Sequence, residues 1–355
     1  MNISCRLLLT VIFATVIPAN AHANGRVEWC PGIAKDNQAL TAAAGVYLER
    51  ASRAQAVVAT EGTIKGNPLH DSSVRAKSDW LGMRLLALAW ASTGEDRYLK
   101  KVSEYFSSWL SVYSATFNPI DDTDLDAVID AYAITKGSLP ADVEAKAGAF
   151  IRQLGRGYAA RMASNRGKNG IWKSNWQSHR VKLLTLAAVA TDDNDLLDQA
   201  EEFYGDQVVR NISSNGSTYD FELRDAIHYA TYSLEPLTRA AVAAKSRGRD
   251  WYGHNGPGGG RLNSGLVWLE SFAIGKRTHL EFVNTKVDFD IIRRNVGVEG
   301  FSGAWNPAGA SALYWLASAG LNPAFKDTAT QTGPEPLWIS ACWGGSTETP
   351  GSKEK

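Results

Sequence analysis

Two stretches of the chain place polar side chains where an apolar helix would ordinarily begin or bury itself. The first is NWQSHRVKLLTLAAVA, Asn175 to Ala190. Asn175 and His179 stand four residues apart, so on a helix they share one face. Ser174 is placed to cap that helix and to leave Asn175 in the first turn, where side chains project past the helix end. The second is YDFELRDAIHYATYSLEPL, Tyr219 to Leu237. Arg224, His228 and Tyr232 follow at four-residue steps, each a rotation of about 40°, and so form one slanting polar stripe on a helix. Pro236 has no N–H for the carbonyl of Tyr232, and a bend is expected there. Read singly, these residues are a cap, a hydrogen-bonded histidine, a core tyrosine and an arginine paired with Asp225 or Glu222. Read together, they offer an amide, an imidazole, a guanidinium and a phenol, with no serine or cysteine nucleophile and no need of a metal or cofactor. That set suits β-elimination from a uronic acid. The proton on C5 is weakly acidic, its removal pushes charge onto the carboxylate, and groups aimed at those oxygens lower the barrier. A base must take the proton and an acid must protonate the departing O4; a tyrosine beside an arginine can serve as either.

Other side chains are candidates for holding such a substrate. Trp172 and Trp176 are possible stacking platforms for sugar rings. Arg180, with Lys173 and Lys182, can meet the carboxylates of neighbouring sugar units or simply form a solvated helix face. His228 and Tyr229 can bind sugar or pack. His70 and Lys65 can line a cleft from the first loop.

Helices must position all of these. After Pro31, apolar residues recur at three- and four-residue spacing over 36–59, 72–93, 95–113, 122–135, 140–163, 177–191, 193–212, 219–247 and 261–275. Alternating patterns are scarce; the tract HLEFVNTKVDFDII from His279 is the place for a strand or two. A weak repeat aligns Met83–Phe106 with Val181–Tyr204 without gaps, with Leu85, Leu86, Leu88, Ala89, Thr93 and Glu104 recurring as Leu183, Leu184, Leu186, Ala187, Thr191 and Glu202. Each copy reads as helix, polar turn, helix. Hairpins of this kind bury their inner faces only against neighbours, which predicts an all-α fold, an α/α toroid or incomplete α/α barrel, with a central cleft. No composition break divides residues 24–344, expected to form one domain. WYGHNGPGGGRLN, Trp251 to Asn263, reads as a connector or a loop at the cleft mouth, and residues 345–355 as a disordered tail.

The N-terminus reads as a targeting segment. Arg6 precedes the apolar run Leu7 to Ile17, Pro18 breaks it, and Ala21 and Ala23 fit a cleavage site, so residues 1–23 are expected to be a signal peptide and the mature protein periplasmic or secreted. Formal net charge is zero, which gives no global field for nucleic acid or an anionic membrane; positive charge for an anionic polysaccharide must be local. Twelve tryptophans and twelve tyrosines suit a carbohydrate site as well as a core. Of three cysteines, Cys5 leaves with the signal peptide. Cys30 and Cys342 can pair in an oxidising compartment and staple the ends of the chain, or remain two buried thiols. They do not make a zinc site.

The pieces NWQSHR, RDAIHYATYSLEPL and FNPIDDTDLDAVIDAY (Phe117 to Tyr132) resemble the alginate-lyase superfamily of polysaccharide lyases. They are closer to the glucuronan/alginate lyases of family 38 than to the periplasmic family 5, over about residues 80 to 310. The resemblance implies an α/α barrel and a catalytic Asn, His, Arg and Tyr. The Asn falls on Asn175, implying carboxylate neutralisation, and the His on His179, implying neutralisation or base duty. The Tyr falls on Tyr232, implying general acid and base, and the Arg on Arg224, beside it. His279 lies in a tract the family shares, implying substrate contact. Family 5 has consecutive asparagines before its histidine and an arginine seven residues before its tyrosine; here Trp176 and Gln177 intervene, and Asp225 holds the position seven before Tyr232.

In mannuronate and glucuronate the C5 proton and O4 leave from one face, so Tyr232 alone can serve both ends of the elimination; guluronate needs a second group. The expected activity is therefore a lyase on mannuronate-rich alginate or glucuronan. Two alternatives stand beside it: a glycoside hydrolase, which needs two facing carboxylates from among Glu222, Asp225 and Glu235, and a non-catalytic polysaccharide-binding protein. The sequence leaves the oligomeric state open.

Overall fold

The computed structural model describes residues 29–253, 255–256 and 259–344; the expected signal peptide and tail lie outside them. Fourteen α-helices occur among the described residues: α1 Gln38–Leu48, α2 Pro68–Thr93, α3 Asp96–Val112, α4 Leu125–Thr135, α5 Ala141–Ala163, α6 Asn175–Ala190, α7 Asn194–Asn211, α8 Tyr219–Arg224, α9 Ile227–Lys245, α10 Arg261–Ala273, α11 Asp288–Asn295, α12 Ser311–Gly320, α13 Lys326–Thr332 and α14 Leu337–Trp343. Among the described residues, paired strands are limited to a two-residue ladder, Asn255–Gly256 against Gly259–Gly260.

The helices form an α/α toroid. α2, α4, α6, α9 and α12 pack in succession as an inner ring, and α14 meets α12, α2 and α1, bringing the end of the ring back to its start. α6 shows why the inner ring reads as it does. Every residue of this helix except Trp176 is buried, because α4, α5, α7 and α9 surround it. A helix enclosed on all sides has no reason to keep a polar face. α3 is an outer helix and does keep one: its buried residues are Tyr98, Val102, Tyr105, Phe106 and Trp109, a single stripe. The sequence repeat is the pair of hairpins α2–α3 and α6–α7. Its threonines play the same part in each, Thr93 Oγ1 donating to Ala89 O (2.8 Å) and Thr191 Oγ1 to Ala187 O (2.7 Å). α2 ends on Gly94 in the left-handed conformation, φ 74°, which a glycine adopts without a Cβ penalty.

Three expectations are corrected. The helix expected over 36–59 stops at Leu48. Residues beyond it are held by distant acceptors: Asp79 takes Arg53 N (2.6 Å) and the Arg50 guanidinium (2.7 Å), Ser73 Oγ takes Ala59 N (3.0 Å), and Asp121 takes Thr60 N (2.6 Å) and Glu61 N (2.9 Å). Backbone N–H groups engaged in this way are not free for a helical ladder. The tract from His279 forms no strand beyond an isolated bridge, Leu280 with Ala304, and then α11. Finally, the single helix expected over 219–247 is two. Asp225 lies at φ 49°, ψ 51°, and its carboxylate takes Asn284 N (2.7 Å) and Nδ2 (3.0 Å). α9 itself runs through Pro236.

Cys30 and Cys342 are disulfide-bonded, Cα–Cα 4.4 Å, across 312 residues. Cys342 lies in α14, so the bond ties the start of the described chain to the helix that closes the ring.

Candidate active site

α6 and α9 pack directly on each other and present their N-terminal turns to one pocket of about 230 Å3. Asn175, Trp176, Arg224, Tyr229 and Tyr232 line it, joined by Glu61, Phe289 and Arg293. Residues from both sequence stretches therefore meet.

Asn175 is the first residue of α6. Ser174 occupies the N-cap position, but its hydroxyl is buried without a partner and makes no capping bond. Asn175 is instead oriented from a distance: its Nδ2 donates to Asp220 Oδ1 (2.6 Å). Asp220, buried, also accepts from Asn211 Nδ2 (2.9 Å) and Ser233 Oγ (2.6 Å). One carboxylate on α8 thus fixes side chains from α6, α7 and α9, and leaves the second N–H of the Asn175 amide for another acceptor.

One turn later, His179 lies buried, with its ring centroid 4.3 Å from that of Tyr232. Its Nδ1 is 3.0 Å from Thr123 Oγ1, and its Nε2 has no hydrogen-bond partner. Burial drives its pKa well below the usual imidazole range, and Lys182 and Lys77 add to this against the opposing charge of Asp126; the ring is neutral at neutral pH. Tyr232 is held up by burial and by the charge of Asp124, while a hydrogen bond with the Thr123 side chain lowers it in part. Behind the pair lies a polar seam, buried at Lys77 and Lys182 and open to solvent at Asp124. Lys182 Nζ bonds Asp126 (3.0 Å) and Lys77 bonds Asp124 (3.0 Å). Burial raises the Asp126 carboxyl, but the positive charges of Lys182, Arg84 and Arg239 override it and hold it at about 2. Glu235, one turn beyond Tyr232, is raised by burial.

Because the helix breaks at Asp225, Arg224 does not continue a stripe with His228 and Tyr232. It reaches the pocket from the end of α8, bonded to Asp290 through Nε (2.8 Å) and Nη2, with its guanidinium 3.6 Å from the Tyr229 ring centroid. Arg293 lies near the same Asp290 carboxylate (4.0 Å) and donates to Tyr229 Oη (3.1 Å). The two arginines flank Tyr229 and give the pocket a cationic wall. His228 is exposed, with its ring parallel to Tyr232 at 6.3 Å. α9 has no capping side chain of its own. Glu281 supplies one, accepting from Ile227 N (2.7 Å) and His228 N (3.1 Å). Burial pushes this carboxyl up to about 7, against the pull of those two bonds.

Several candidate contacts are not placed at the pocket. Arg180 is buried, donates to Ile171 O (2.8 Å) and stacks on Trp172 (3.9 Å), so both are used in holding the turn before α6. His279 binds Asp225 O (3.0 Å) and packs against Phe221; it secures the α8–α9 break. Lys182 points into the seam, and Lys173 covers the Tyr219 ring (4.1 Å). His70 pairs with Asp71 (3.0 Å); of the first loop, Glu61 and Gly62 line the pocket. None of the three carboxylates named for a hydrolase lines the pocket: Glu222 accepts from Ser217 (2.7 Å), Asp225 accepts from Asn284, and Glu235 lies one turn beyond Tyr232 on α9. Sequence reasoning missed Thr123, Asp220, Asp290 and Arg293. Thr123 lay in the quoted stretch FNPIDDTDLDAVIDAY, and Asp220 within the Tyr219–Leu237 stretch; nothing local marks Asp290 or Arg293.

The sequence model of the alginate lyase family matches residues 30–279. No curated protein matches the chain. Among solved structures, an alginate lyase from Bacteroides ovatus is similar with a TM-score of 0.63 at 15% identity, covering 86% of this chain and 92% of that one. Alginate lyase A1-III from Sphingomonas species A1 gives 0.53 at 17%, covering 72% and 76%. A tyrosine-to-phenylalanine variant of A1-III complexed with tetrasaccharide gives 0.54 at 16%, covering 76% and 74%. At these identities the likeness is one of fold.

Proposed function

The chain belongs to the alginate lyase family, a family of polysaccharide lyases, and from that premise we propose that it cleaves mannuronate-rich alginate or glucuronan by β-elimination. The observation that carries this reading is the convergence of Tyr232, Asn175 and Arg224 on one pocket, with neutral His179 packed 4.3 Å behind Tyr232. Asn175 and the cationic groups face the uronate carboxylate and stabilise the charge that gathers there as C5 loses its proton. Tyr232 takes the C5 proton as phenolate and returns it to O4 as the C4–O4 bond breaks, leaving a C4–C5 unsaturated uronate. One phenol suffices only when both groups leave from one face, which favours mannuronate and glucuronate over guluronate. The binding of tetrasaccharide by the A1-III variant agrees with an oligosaccharide ligand in this fold.

The protein is further proposed to be exported after cleavage near Asn24; the segment Arg6 to Ala23 and the Cys30–Cys342 bond support this. Incubation with polymannuronate, polyguluronate, glucuronan and a neutral glucan tests the activity. An ultraviolet-absorbing product from the first or third is expected. Reducing ends without that chromophore would mean a hydrolase, and neither product would mean a binding protein.

A further inference from the structure

The loop before α4 carries four consecutive polar residues, Asp121 to Asp124, each reaching a different part of the molecule. Asp121 holds the backbone of Thr60 and Glu61 at the pocket mouth. Asp122, buried, accepts from the hydroxyls of Tyr113 and Tyr158 (2.7 Å each) and from Phe117 N (3.0 Å). Asp124 pairs with Lys77. Thr123 is pinned between these anchors. Its Oγ1 lies 3.0 Å from His179 Nδ1, and the same side chain reaches the Tyr232 hydroxyl.

We propose that Thr123 is a positioning residue that relays a proton between Tyr232 and His179, so that the phenol ionises without releasing its proton to water. The relay balances in two shifts. In the resting state Tyr232 O–H donates to Thr123 Oγ1, and Thr123 O–H donates to His179 Nδ1. When both protons move one place, Tyr232 becomes phenolate and His179 becomes imidazolium. Thr123 is unchanged, but its new O–H now donates to the phenolate and its oxygen accepts from Nδ1–H. The phenolate then takes the C5 proton and delivers it to O4, and leaves the step as phenolate again. His179 has its Nδ1 lone pair free for a proton because the ring is neutral in the empty pocket, and the burial and lysine charges that keep it so must be offset when the imidazolium forms. The substrate carboxylate brings the negative charge that favours the imidazolium. The nearby charges are already paired within the seam, Lys77 with Asp124 and Lys182 with Asp126, with Glu235 beside them and Arg224 on the pocket wall. They stay in place when the threonine hydroxyl is removed.

The inference rests on the lyase reading, and the test separates the two. Wild type, Thr123→Val and Thr123→Ser are compared on the best polyuronate. The valine variant, equal in shape, is expected to lose kcat about 10²-fold, within the range for a lost proton-transfer contribution, with KM within about threefold and an unchanged melting temperature. The acidic limb of its kcat/KM profile should move to higher pH, since the phenolate has lost a donor. The serine variant should stay within about fivefold of wild type. An active wild type whose valine variant keeps its kcat or its acidic limb overturns the relay alone, as does a serine variant that falls as far as the valine one. A wild type forming no unsaturated product overturns the lyase reading and the relay with it.

Discussion

A phenol that takes a proton and returns it within one turnover needs neighbours that tolerate both of its charge states. Tyr232 has them: Thr123 as donor, His179 against its ring, and a pocket wall carrying Arg224. Tyr232→Phe removes only the hydroxyl, and is expected to cut kcat by about 10³-fold or more while polymer affinity stays within about threefold. Stopped assays and a binding titration on the same preparation check this; a variant with a tenth of the wild-type rate would move the chemistry to another group. For His179 the burial matters to the choice of variant. Alanine would leave a cavity in the core, so His179→Gln is the better probe: it keeps bulk and a partner for Thr123 but cannot take a proton. Turnover should fall about 10²-fold with little change in melting temperature. A large drop in melting temperature with proportionate activity would return this histidine to a purely structural role. At this scale Asn175, His179 and Tyr232 were legible because short spacing on a helix is local information. Thr123, Asp290 and Arg293 were not, because they act only across contacts that the fold creates.

The helix that carries Tyr232 starts where it does for a non-local reason. Residues 219–245 contain no glycine and no proline before Pro236, so their pattern reads as one helix. The break at Asp225 needs a left-handed residue, which aspartate tolerates, and it is held by Asn284 and His279 from some fifty residues away. It moves Arg224 off the helix of Tyr232 and to the end of α8, from where it lines the pocket stacked on Tyr229. Glu281 then serves as the cap that α9 lacks, and this gives a pH-dependent prediction. Its folded pKa, about 7, lies above the ordinary value of 4.5. The folded chain therefore holds that proton more tightly than the unfolded chain, so the stabilisation is complete below pH 4.5 and is lost as pH rises through about 7. The shift corresponds to at most ~3 kcal/mol. Glu281→Gln mimics the protonated state and should flatten the fall in melting temperature between about pH 5 and about pH 8. Parallel slopes for the two proteins would show that the backbone bonds to Ile227 and His228 already hold the carboxylate at no cost.

The toroid itself was the most legible feature, because hairpins that cannot bury their inner faces alone must stack, and the repeat displays two of them in matching register. Its closure was less so. The first and last segments have no shared pattern, and only the two cysteines hinted that they meet. In the structure Cys342 sits on α14, which packs between α12 and the first hairpin, and Cys30 reaches it from the other end of the chain. Around them, Gly32 N donates to Cys342 O (2.9 Å) and Ala34 N to Ala341 O (3.3 Å), so non-covalent contacts accompany the bond. A cross-link over 312 residues restricts the unfolded chain strongly, and loop-closure entropy gives ~6 kcal/mol as an upper figure. For a protein of this size that is a drop of roughly 5–10 °C in melting temperature on reduction. The pocket is lined from the first turns of α6 and α9, whereas the closure meets α9 two turns further on, where Arg239 lies over the rings of Trp29 and Trp338, so the reduced protein at moderate temperature should retain its kcat while unfolding earlier. Cys30→Ser with Cys342→Ser, compared with reduced wild type, separates loss of the bond from effects of the reductant. If both melt with oxidised wild type, the backbone bonds of Gly32 and Ala34 and the packing of α14 close the ring by themselves. If activity falls in step with stability, the inner ring transmits strain from its seam to the pocket, and the toroid acts as one mechanical unit.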